Sequence, residues 1–140
     1  MSEIVNKVAE SGLVTLDLET FYPKEEIVSF DLKDFLFMGL ILKEKEFRAA
    51  LQAIQWTAYD GKIVALHCSS DAIVPLWAYM LVTSYLSGAA GVISGTPEET
   101  RKAVFIQNIR SIKPSDYADA RVVIKGCGDL SIGEYAFVEI

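Results

Sequence analysis

From residue 43 onward the chain alternates helix-type segments with short, β-branched apolar runs, and no other feature of the sequence constrains its fold as tightly. Phe47, Ala50, Leu51 and Ile54 recur at helical spacing among charged neighbours, which predicts a helix over 43–58. After the Asp60-Gly61 turn, residues 62–67 read as a buried strand. A second helix is predicted ahead of Gly88, with Ser69, Ser70 or Asp71 as its cap and Pro75 near its start. Residues 91–94 form the next strand, and Thr96-Pro97-Glu98-Glu99 is a helix start with Thr96 as cap and Pro97 in the first position. Pro114 closes that helix, and a strand at 121–125 and an apolar segment at 135–140 follow. Strands separated by helices need crossover connections, so the predicted class is α/β with a mainly parallel sheet. Before residue 43, a short amphipathic helix is expected over 2–10. The strand-like runs 13–18 and 27–30, parted by a turn at 21–24, are expected as an antiparallel N-terminal addition. The whole, residues 1–140, is expected as a single three-layer domain, long enough to close a hydrophobic core.

Charge narrows the partners. The net charge is −6, only four of the thirteen basic residues are arginine, and no basic cluster occurs, so a nucleic-acid phosphate backbone would be repelled. From Ala72 to Pro97 there is no charged residue, a span long enough to raise a membrane helix. Pro75, Gly88, Gly91 and Gly95 divide it, which argues instead for a buried helix, a turn and a strand, with no membrane partner. Two cysteines make no disulfide framework, and the first seven residues hold no apolar signal core, so the expected setting is cytoplasmic with free thiols.

Those cysteines are the candidate chemistry. Each ends an apolar strand and opens a turn of small residues next to an aspartate: Cys68 leads into Ser69-Ser70-Asp71, and Cys127 lies between Gly126 and Gly128 with Asp129 following. In open α/β sheets ligands bind at the carboxyl ends of strands, so neighbouring strands would bring both thiols and both carboxylates to one crevice. Cys68 is expected near a helix N-terminus, where amides and dipole favour a thiolate, and free amides at 69–71 would suit an anion. Around Cys127, glycines allow close backbone approach to a ligand, and Lys125 and Asp129 flank the thiol. The alternative is that Cys68 is a small buried hydrophobe ending a strand and that Cys127 merely falls within a glycine-rich turn. No CxxC pair is present, so Cys68 and Cys127 make at most a partial metal site, open to Asp71, Asp129 or His67. His67, next to Cys68 in a strand, should point to the opposite face and is read as structural. GxSxG, Walker A, GxGxxG and HExxH motifs are absent, so no cofactor is named.

Residues 4–13, the run from His67 to Pro75 with Trp77-Ala78-Tyr79-Met80, and residues 119–129 resemble an uncharacterised bacterial family, a domain of unknown function found mainly in Bacteroidetes. The resemblance implies genes that often neighbour SUF-type iron–sulfur assembly genes, and members that continue into a tail with a third cysteine. It therefore implies an accessory factor in iron–sulfur or thiol metabolism, with iron–sulfur assembly proteins as partners. In that reading Cys68 and Cys127 hold a metal, cluster or persulfide, Asp71 and Asp129 tune charge, and Ser69, Ser70 and Gly128 supply donors. Two alternatives stay open: an enzyme with Cys68 or Cys127 as catalytic nucleophile on a small anionic substrate, and a non-catalytic interaction module that forms a homodimer.

Overall fold

The computed structural model describes residues 12–126, 128 and 130–140; the helix expected over 2–10 lies outside them. The described residues form five strands, β1 (Val14–Asp17), β2 (Ile27–Asp31), β3 (Ile63–His67), β4 (Gly91–Ser94) and β5 (Val122–Lys125). The helices are α1 (Glu44–Gln52), α2 (Leu76–Tyr85), α3 (Pro97–Arg110) and α4 (Glu134–Glu139), with short 3-10 turns between. The fold is α/β. Every pairing between these strands is parallel, but they form two sheets rather than one: β2-β3-β4 and β1-β5. The antiparallel N-terminal addition does not form. β1 takes β5 as its partner and β2 takes β3, and Leu18, immediately after β1, is buried in a different core from β2.

The chain divides into two compact units, one of residues 24–103 and one of residues 1–23 with 104–140. In the first, β3 is the central strand and is buried from Ile63 to Leu66. One face of this sheet, carrying Phe30, Val64 and Leu66, packs with Phe47 and Leu51 of α1 and Ala78 and Val82 of α2. Phe30 stacks between Phe35 and Trp56, with ring centroids 5.2 and 5.6 Å away. In the second unit Leu16, Leu18, Phe105, Ile109 and Ala136 form the core. The Asn108 amide donates to the Phe21 carbonyl there, and Arg110 pairs with Glu139, tying α3 to α4.

Two helix boundaries differ from expectation, each for a local reason. α1 stops at Gln52 rather than Ala58: its end tightens to an Ile54 amide bond onto the Leu51 carbonyl three residues back, and the Trp56 indole N–H donates to that same carbonyl at 2.8 Å. α2 starts at Leu76 with Pro75 in the cap position and no side-chain cap, so Ser69, Ser70 and Asp71 belong to an irregular connection. α3 begins as predicted: Thr96 Oγ1 accepts from the Glu99 amide and Glu99 Oε1 accepts from the Thr96 amide, a reciprocal capping box.

Candidate functional site

The carboxyl ends of β2 and β3 gather the polar groups of the first unit. Strand alternation sends Leu66 and Cys68 to the face covered by α1 and α2, and His67 to the other, as the sequence indicated. Cys68 is a free thiol, half-buried, whose sulfur lies 3.4 Å from the Ser70 hydroxyl and 3.8 Å from the Ser70 carbonyl. Ser70 Oγ also accepts from the Ala72 amide at 3.4 Å, closing a small turn under the thiol. Tyr79, on α2, is its aromatic neighbour. Burial first, then negative charge at Cys68 and at Asp31, pushes the phenol above its ordinary range, so Tyr79 stays a hydrogen-bond donor at neutral pH.

Asp31 closes the end of β2. Its Oδ1 accepts from the Lys33 amide at 2.9 Å and from the Ser69 amide at 3.0 Å. Burial works against its charge, yet hydrogen bonds from Ser69 and Lys33 and the nearby His67 hold the carboxyl below the usual range. The Ser69 amide is thus occupied from within the chain, and α2 begins eight residues beyond Cys68. The expected helix-terminus anion site at 69–71 is therefore not built. Asp71 is exposed on the same connection.

The second cysteine strand belongs to the other unit. β3 lies between β2 and β4, whereas β5 pairs with β1, so the two cysteine-bearing strands are not neighbours. Cys127 and Asp129 lie outside the described residues. The residues around them have packing roles. Lys125 Nζ is 3.9 Å from the carboxylate of Asp17, its register partner on β1. At Gly126 the space of a side chain is filled by the Phe137 ring, and at Gly128 by the Glu19 carboxylate, whose Oε1 accepts from the Leu130 amide at 2.9 Å. Among the described residues no group of three or more His, Cys, Asp or Glu side chains is placed to hold a metal. Nor, among the described residues, is any helix long and apolar enough to cross a membrane.

Three residues that sequence reasoning passed over join this region: Ser29, Asp31 and Tyr79. In the sequence Ser29 is one residue of a strand-like run and Asp31 the residue that follows it. Beside them an apolar groove of about 750 Å³ runs between α2 and the edge strand β4, lined by Leu66, Tyr79, Met80 and Val92 among others. Tyr79 is common to the groove and to the surroundings of Cys68.

In comparison with known proteins, residues 2–140 match a family model whose description is that of a protein of unknown function. No curated protein matches the chain, and no solved structure does.

Proposed function

We propose a function from the premise that this chain belongs to the DUF2480 family, whose description assigns none: an accessory protein of thiol or iron–sulfur metabolism that works through Cys68. The observation that carries the reading is a free, half-buried thiol at the carboxyl end of the central strand of a parallel sheet, where such sheets place their ligands. A thiolate there supplies what persulfide, cluster or soft-metal chemistry requires of a protein. The Ser70 hydroxyl, 3.4 Å from the sulfur, is in place to donate to a thiolate, and the groove beside Tyr79 admits an apolar part of a ligand or carrier. Cys127, the second thiol expected from the sequence, is tested beside Cys68. After anaerobic purification the wild type should retain sulfide, persulfide sulfur or metal above background, and Cys68→Ser should lose it. Equal contents in wild type, Cys68→Ser and Cys127→Ser would sink the assignment.

A second reading, a homodimeric interaction module, is favoured by one observation. Ile73, Leu76 and Met80 are 93, 81 and 74 % exposed, on and just before a helix with no charged residue. Copies of a chain carrying −6 repel one another least across such a surface, and β4 alongside offers a sheet edge that a second β4 can complete.

A further inference from the structure

On the face of β2 and β3 opposite Cys68, three side chains stand together that the thiol reading does not use. Ser29 Oγ lies 2.7 Å from His67 Nε2. In the parallel register Asp31 faces His67 and Ser29 faces Ala65, so Ser29, Asp31, Ala65 and His67 share one side of the sheet. The small side chain of Ala65 leaves the diagonal from His67 to Ser29 open, which lets the imidazole lean across to the hydroxyl. Ser29 is exposed to solvent and His67 only partly so, giving a reachable oxygen backed by a held base. Asp31 is itself fixed by two backbone amides and stays ionised beside the imidazole, where a carboxylate stabilises the imidazolium that forms when the ring takes a proton.

We propose that Ser29 and His67 are a nucleophile–base pair that accepts small acyl groups from activated esters or thioesters, with Asp31 as the positioning carboxylate. Ser29 Oγ adds to the acyl carbon while its proton passes to His67 Nε2. Collapse of the adduct breaks the bond to the leaving alkoxide or thiolate, which takes that proton from His67. Water, losing a proton to His67, then cleaves the acyl–Ser29 ester, releasing the acid and regenerating both residues with no change of oxidation state. β2 has no neighbour on its outer side among the described residues, and the apolar groove opens on the other face of the sheet. Ser29 is exposed but Ala65 beside it is fully buried, and the apolar groove gives Ser29 no seat for a long chain, which suits acetyl-sized groups.

The test is acylation of the full chain by p-nitrophenyl acetate, followed by mapping of the tryptic peptide spanning residues 25–33, which contains Ser29 and no cysteine. The expected result is an acetyl ester on Ser29 that forms about a hundredfold more slowly in His67→Gln, the loss typical of a missing general base. Ser29→Ala, an exposed change that leaves the fold intact, should carry no adduct on this peptide. An unmodified Ser29 peptide in acid-quenched wild type together with p-nitrophenol release no faster than from Ser29→Ala, or release equally fast from wild type and His67→Gln, overturns the proposal. Because the peptide lacks cysteine, this outcome is read independently of any reaction at Cys68.

Discussion

Asp31 shows how much a single side chain can hold together. One carboxylate oxygen joins the end of β2 to the turn after it, through the Lys33 amide, and to the connection after β3, through the Ser69 amide. Its folded-state pKa is depressed, so its contribution to stability is fully present above the unfolded value near 3.8 and is lost as the pH falls through the lower folded value. Asp31→Asn should therefore be less stable than wild type at neutral pH, with the gap narrowing as the pH falls below 3.8 and through the lower folded-state value. Urea midpoints for the two proteins at neutral and acid pH give the comparison, and a gap independent of pH would show that the charge is not what matters. His67 stands out in the sequence as the single histidine, but its partnership with Ser29 does not. A polar residue inside a strand becomes informative only when its neighbour across the sheet is known, and register is not written in either strand alone.

At the scale of elements, most of the strands and the start of α3 were legible because their signals are local. β-branched runs bounded by turns and a Thr-Pro-Glu-Glu cap act within a few residues. The errors came where a distant or competing group intervened, as with the Trp56 indole at the end of α1, or where Pro75 displaced the expected cap of α2. The Gly126–Gly128 turn teaches the same lesson. In sequence its glycines suggest room for a ligand, but Phe137 and Glu19 already occupy that room. Gly128→Ala should accordingly cost no more than about 1 kcal/mol, since the Glu19 carboxylate that meets the new Cβ is the far end of a flexible side chain and yields by giving up its bond to the Leu130 amide. Urea denaturation of Gly128→Ala, Glu19→Ala and the double variant should show coupling, with the second substitution costing less in the presence of the first. Strict additivity would mean that Glu19 is not the obstruction.

For the whole molecule, strand pairing was the least legible property. Parallel order requires knowing which crossovers close, and the sequence gives no sign that β5 should skip the other strands and return to β1. Exposure at Ile73, Leu76 and Met80 was equally hidden, since an uncharged helix reads as buried. If a second copy covers that surface, Leu76→Glu with Met80→Glu should convert a dimer to a monomer in sedimentation equilibrium. A wild type that is monomeric at every concentration would remove the second reading.

The pairing of β1 with β5 has a consequence for how the protein is made. Val14 meets Val122, 108 residues later, while β2, β3 and β4 all lie in between. At ribosomal speeds of about 5–20 residues per second, β1 waits roughly 5–20 s for its partner to be translated. During that interval the segment from β2 to β4 is already complete and has every strand it needs. The protein is thus born from the middle outward: the sheet that carries Cys68 closes first, and the chain's two ends meet last, across the largest loop they could form.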